Sequence, residues 1–371
     1  MILALLAPAF AESWCAGPLV AHEWGVTVLA PQGGTVNTPS TPGWFHHTGA
    51  SVPDGPAVRT LPPDTGIRDL PVVHFYAKDG WTDHIPLGFE VGFGRGEATS
   101  WFPAVSERTP GATANSAAAH LARKALLERR AALTPHVERA DPGADLTRQL
   151  HWNRLILTQD PLAPAQDTSS PWVARARGVS EALWVNGPGE SDRFLFYDAE
   201  TRESPALVVE RGDSGKPDHL ILRNTSDWDV HDVMFVHDGR VWTAPRIPAG
   251  KTAGFLLRDV YDPVVARSWL DDRWHDTAGV PTTDWEQCVM MRDPALPLES
   301  AGGHRMFRDE LDVLWEAWGD ALVEGSGTRL VYREDTAALD AVMPISMYTD
   351  MFHDPRLHRL GVVLVQSPPL P

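Results

Sequence analysis

The stretch HDVMFVHDGRVWTAPRI, residues 231–247, carries two arms rich in alternating apolar residues, joined by Asp238-Gly239. That dipeptide suits a type I′ hairpin, whose two central residues both take positive φ. The pattern spreads outward through ALWV (182–185), RFLFYDA (193–199), PALVVER (205–211), HLILRNTS (219–226) and TAGFLLR (252–258), runs parted by Gly, Pro, Asn and Asp. HWNRLILTQ (151–159) precedes them. Short strands at this spacing predict an antiparallel β-sandwich-like module over 151–260.

Upstream, VAHEWGVTVLA (20–30) reads as a strand with Val20, His22, Trp24, Val26 and Val28 on one face and Ala21, Glu23, Gly25, Thr27 and Leu29 on the other. PVVHFYA (71–77) and PLGFEVGFGRGEATSWFP (86–103) add strand-like segments, giving a β-rich N-terminal module over 12–110. Between Pro31 and Pro71 lies a long connector with little apolar periodicity, a length that usually signals function or mobility. Ala112–Arg139 turns to Ala, Leu, Arg and Glu, so a helical insertion is predicted over 111–150. In 261–371, Phe307, Leu311, Leu314, Trp318 and Leu322 recur at helical spacing, Gly325 supplies a stop, and the strand TRLVYRE (328–334) follows. The predicted class is mainly β (α+β), with this C-terminal helix and strand packing on the β core.

The 371 residues, 43% hydrophobic and 22% charged, fit a folded globular protein. With 32 Lys+Arg against 49 Asp+Glu, the net charge of −17 repels phosphate backbones and anionic headgroups, so no nucleic-acid partner is expected. MILALLAPAFA (1–11) ends in Ala9-Phe10-Ala11 and resembles a signal peptide that lacks its basic start, so the translation start is expected upstream, with export leaving Glu12 first. A buried N-terminal strand is the other reading of that run. No other apolar run approaches the roughly 20 residues of a membrane span, so no transmembrane segment is expected in the mature chain. Cys15 and Cys288 permit one disulfide, and a bridge or two free thiols both stay open.

His22-Glu23 resembles half of a zincin motif, but position 26 is Val where the second His belongs. On a strand the two side chains point to opposite faces and cannot share an ion without a bulge. A bound metal ion assembled from His22 with His74, or with His46-His47, stands beside plain structural hydrogen bonding; no other cofactor is indicated. His231 and His237, read on one face with Val233 and Phe235, lie about 20 Å apart along an extended strand and cannot share an ion. Gly92-x-Gly94-x-Gly96 runs into Thr99-Ser100-Trp101 rather than a helix, which removes the dipole a pyrophosphate needs. Of 15 Trp, those at 44, 81, 228, 269, 274 and 285 fall in loop-like or polar contexts, and about a third of them are expected to be exposed enough to stack on a carbohydrate or protein ligand. The candidate ligand site is a cleft lined by Trp44, His46 and His47 near His22, Glu23 and His74. Oligomeric state has no signal.

Several segments together resemble a family of uncharacterised exported bacterial proteins of planctomycete and myxobacterial type: His22-Glu23-Trp24-Gly25, PVVHFYA, GEATSWFP (96–103), RFLFYDA, and a C-terminal unit with Trp318, Glu324-Gly325, Arg329, Tyr332 and Met343-Pro344. The Ala-rich stretch of 112–139 departs from that pattern. The resemblance implies export and a β-rich fold and no particular activity. The leading functional expectation is an exported ligand- or partner-binding protein of the cell envelope, with an exported hydrolase, metal-assisted or glycan-acting, and a structural envelope component as alternatives.

Overall fold

Seven strands come from the chain up to Phe102: β1 (Val20–Ala30), β2 (Gly34–Thr38), β3 (His46–His47), β4 (Ala57–Leu61), β5 (Thr65–Tyr76), β6 (Ile85–Gly92) and β7 (Gly96–Phe102). The next stretch supplies β8 (Gln149–Thr158), β9 (Trp184–Gly187), β10 (Glu190–Asp192), β11 (Leu195–Thr201), β12 (Leu207–Arg211) and β13 (His219–Asn224). It continues with β14 (Val230–His237), β15 (Arg240–Ile247), β16 (Thr252–Leu256) and β17 (Asp259–Val260). The C-terminal stretch adds β18 (Arg329–Glu334), β19 (Ile345–Tyr348) and β20 (Arg356–Gln366). The helices are α1 (Pro171–Arg177), α2 (Pro263–Trp274), α3 (Arg308–Gly319, running on as a π-helical turn over Asp320–Glu324) and α4 (Thr336–Val342). This computed structural model describes residues 19–48, 57–63, 65–77, 84–93, 96–106, 149–212, 219–257, 259–275, 306–325, 327–349 and 356–371. The run of 1–11 read as a signal peptide, Cys15, Cys288, Trp81, Trp285 and the Ala-rich stretch of 112–139 predicted to be helical lie outside them; the last two residues of the predicted insertion open β8.

The fold is mainly β. Ten strands form one sheet in the order β17-β15-β14-β18-β20-β1-β5-β11-β7-β3, which interleaves strands from all three β-bearing stretches rather than keeping them as separate modules. Its centre is the parallel pair β1 and β20, with β5 antiparallel on the other side of β1. The alternation read in 20–30 then takes effect. Trp24, Val26 and Val28 share a core with α1, α2 and α3, while Ala21 faces β6 and β8 and Leu29 faces β12 and β13. Helices thus cover one face of the sheet. A five-stranded sheet (β10-β9-β8-β6-β19) and a three-stranded sheet (β12-β13-β16) cover the other, which is the sandwich-like packing. A strand covered on both faces reads as nearly continuous burial, as β1 does.

Two expectations need correction. The connector of 31–71 holds β2, β3, β4 and the first half of β5. β5 runs straight through Pro71, whose missing N–H falls at an irregularity in the pairing with β1 between Trp24 and Val26, so a residue that reads as a strand boundary sits inside one. β14 has a comparable irregularity after His231, where Asp232 adopts φ 49, so Val230, Val233 and Phe235 share a core face and His231 leaves it. Of the six loop-context tryptophans, Trp274 is fully buried, Trp44, Trp228 and Trp269 are partly so, and Trp81 and Trp285 lie outside the described residues. The hairpin turn, by contrast, has φ 48 at Asp238 and 67 at Gly239, as type I′ requires.

Candidate functional site

Three histidines stand side by side on adjacent strands of the helix-covered face: His358 on β20 is in register with His22 on β1, which is in register with His74 on β5. Each follows from strand periodicity, since all three share the parity of residues that pack beneath the helices. Glu310, in the first turn of α3, descends between two of them. Its Oε2 accepts from the Phe307 N–H at 2.8 Å, a helix-capping contact that fixes the carboxylate's direction, and lies 2.9 Å from His22 Nδ1. Its Oε1 lies 3.5 Å from His74 Nδ1. The His22 ring stacks on His358 at 5.1 Å and packs against Phe307 at 4.5 Å and Tyr76 at 5.2 Å.

This centre is closed. His22 is 3% exposed and His74 and Glu310 are 0% exposed, so the carboxylate sits in the interior. Burial by itself would raise the Glu310 carboxyl, but the charge and hydrogen bond of His22, followed by the proximity of His74 at 3.5 Å, outweigh it and hold the group far below the usual carboxylate range. Burial first, then the negative charge of Glu310, pushes the Tyr76 phenol well above its ordinary value. Among the described residues, His74 Nδ1, Tyr76 Oη and Glu310 Oε1 have no hydrogen-bond partner. His74 Nε2 does, at 3.3 Å from the carbonyl oxygen of Ala176 in α1.

The other predicted site residues go elsewhere. Glu23 points to the opposite face, where Arg359 donates to it from Nε (2.5 Å) and Nη2 (3.1 Å) and Tyr197 donates from its hydroxyl (2.8 Å). Trp44 packs edge-on to Phe45 and Phe102. His46 Nε2 lies 2.8 Å from Glu190 Oε1, and half-buried His47 beside it is lowered chiefly by burial. β3 is three strands from β5 and four from β1. At roughly 4.8 Å per strand interval this separates His46 and His47 from His74 by about 14 Å and from His22 by about 19 Å. Among the described residues, no hydrogen bond, ion pair or ring contact joins Trp44, His46 or His47 to His22, Glu23 or His74. Among the described residues, no three His, Cys, Asp or Glu side chains are arranged to hold a metal ion, and His22 and His74 both contact Glu310.

A cleft of about 440 Å³ does open beside the histidine centre, between α1 and α3. Pro171, Ala174, Arg175 and Gly178 form one wall, and Asp309, Asp312 and Glu316 form the other. Arg175 reaches Glu316 at 4.0 Å, and Ser180 donates to Asp309 from its amide (3.3 Å) and hydroxyl (3.1 Å). One arginine thus faces three acids. A scan against protein-family models and a search of curated proteins return no match to this chain.

Sequence reading missed Glu310 and the cleft. A signal for Glu310 was present: it is three residues after Phe307 and one before Leu311, hence on the inward stripe of an amphipathic helix, where an acid requires a buried partner. The cleft had no such signal, because α1 is only seven residues long and its neighbour α3 comes much later in the chain.

Proposed function

We propose that this chain is an exported binding protein of the cell envelope, and that its α1–α3 cleft receives a basic segment of a partner protein. The observation that carries the reading is the cleft itself: a concavity within the size range of small-ligand sites, with three carboxylates on one wall against one arginine on the other. Lys and Arg side chains supply the matching charge. The net charge of −17 favours encounter with cationic partners over the whole surface, while the cleft gives a defined place for them. Export rests on the Ala9-Phe10-Ala11 run.

Calorimetric titration of the full chain with hexalysine and with hexaglutamate tests this. Hexalysine is expected to bind in a salt-sensitive manner, and Asp312→Asn with Glu316→Gln is expected to weaken it by about fivefold or more. Equal responses to both peptides, or hexalysine binding unchanged in the double variant, would overturn the reading.

A further inference from the structure

Both walls of the cleft are tied to one imidazole. His74 Nε2 meets the carbonyl of Ala176 in α1, and Nδ1 meets the carboxylate of Glu310 in α3. Ala176 lies between the wall residues Arg175 and Gly178, and Glu310 lies between Asp309 and Asp312. A carbonyl oxygen only accepts, so Nε2 carries a hydrogen. The state of Nδ1 then decides what the second contact is. With a hydrogen it is a charge-assisted donor aimed at Glu310 Oε1; without one, two lone-pair atoms face each other at 3.5 Å in a dry interior.

We propose that His74 is a proton-dependent tie between α1 and α3, drawing the cleft walls together when doubly protonated and loosening the first turn of α3 when Nδ1 loses its proton. This rests on the reading of the cleft as the binding site and adds its regulation. The groups around the tie are consistent with it. From β1 comes His22, stacked on His358 of β20; from β5, Tyr76; from α3, Glu310 with Asp309 beyond it; and Glu181 acts on Tyr76 from the segment after α1. Asp192 of β10, held by Arg177 of α1 at 2.7 Å, is also near enough to feel the His74 imidazole.

The test compares the wild-type chain with His74→Gln between about pH 5 and pH 8, the span in which histidines generally change charge. Hexalysine stays cationic throughout. Two readouts are taken: amide exchange of α3, corrected for intrinsic rate with α2 as internal reference, and hexalysine affinity. The tie predicts that both change by about fivefold or more with pH in the wild type, and that in His74→Gln the exchange of α3 becomes flat while the change in affinity shrinks to what the overall charge of the chain imposes. Exchange that responds to His74 without any hexalysine binding keeps the tie and removes the cleft reading. Hexalysine binding with pH-independent α3 exchange keeps the cleft and overturns the tie. If His74→Gln does not fold, nitrogen-15 spectra of the wild-type histidines decide: His74 must show hydrogens on both ring nitrogens at the acid end and lose the one on Nδ1 as α3 exchange rises. A His74 that never carries both hydrogens overturns the proposal.

Discussion

Glu23 and Arg359 are direct partners across the parallel pair β1 and β20, and the guanidinium grips the carboxylate through Nε at 2.5 Å and Nη2 at 3.1 Å. The remaining donor, Nη1, is divided between Asp340 Oδ1 at 2.8 Å and the carbonyl of Met343 at 2.9 Å. One arginine therefore joins the central strand pair to α4 and to the segment before β19. A parallel pair needs a long crossover and gains slightly less per residue than an antiparallel one, so a side-chain link at its middle holds the register where the ladder is weakest.

Arg359→Leu should destabilise the protein by about 3 to 5 kcal/mol in urea unfolding, since it leaves Glu23 and Asp340 buried without their counter-charge. Adding Glu23→Leu should recover part of that loss, giving a double variant less damaged than the sum of the two single ones. Strict additivity would mean that the two side chains act independently.

Trp318, 1% exposed within the core shared by α3 and the sheet, should lose about 3 to 5 kcal/mol on truncation to Ala. A loss below about 1 kcal/mol in the same measurement would place this helix face at the surface.

Local periodicity was legible, and distant pairing was not. The faces of β1, the Asp238-Gly239 turn and the stripe through Leu311, Leu314, Trp318 and Leu322 all follow from side-chain spacing within a single element, and the structure has each. No local pattern announces that β20 returns to lie beside β1, so the row His358, His22, His74 was hidden although two of its members had been singled out. Single extra residues did similar damage. The irregularities at Pro71 and Asp232 move side chains between faces without disturbing composition. Trp274 misled for another reason: among acids and arginines it read as a loop residue, yet it ends α2 and stacks on Trp315 at 5.7 Å.

Two glycines should respond differently to alanine. Gly239 has φ 67 with open space around its missing Cβ, so Gly239→Ala should cost only the backbone strain, about 1 to 2 kcal/mol. At Gly96 the added Cβ would meet the backbone oxygen of Glu200 at 2.0 Å, and β7 would have to part from β11. Gly96→Ala should therefore lose more, about 3 kcal/mol. Thermal unfolding of both variants orders them, and the reverse order would count against the close approach of β7 to β11.

Acid should act through Glu310. An unfolded glutamate titrates near pH 4.3, whereas in the folded chain the His22 and His74 contacts hold this carboxyl far lower in spite of its burial. Between those two values the unfolded state binds more protons than the folded one, so stability rises with pH there and falls as acid is added. The contribution is fully present above about pH 4.3 and declines below it. Glu310→Gln keeps the shape but has no proton to exchange, so its stability should fall less steeply over the same acid interval, whatever the other carboxylates do in both proteins. Urea unfolding at a series of pH values from neutral into that interval gives the two slopes. Parallel slopes would mean that Glu310 takes up its proton equally in both states, which two flanking histidines and a Phe307 amide at 2.8 Å do not allow.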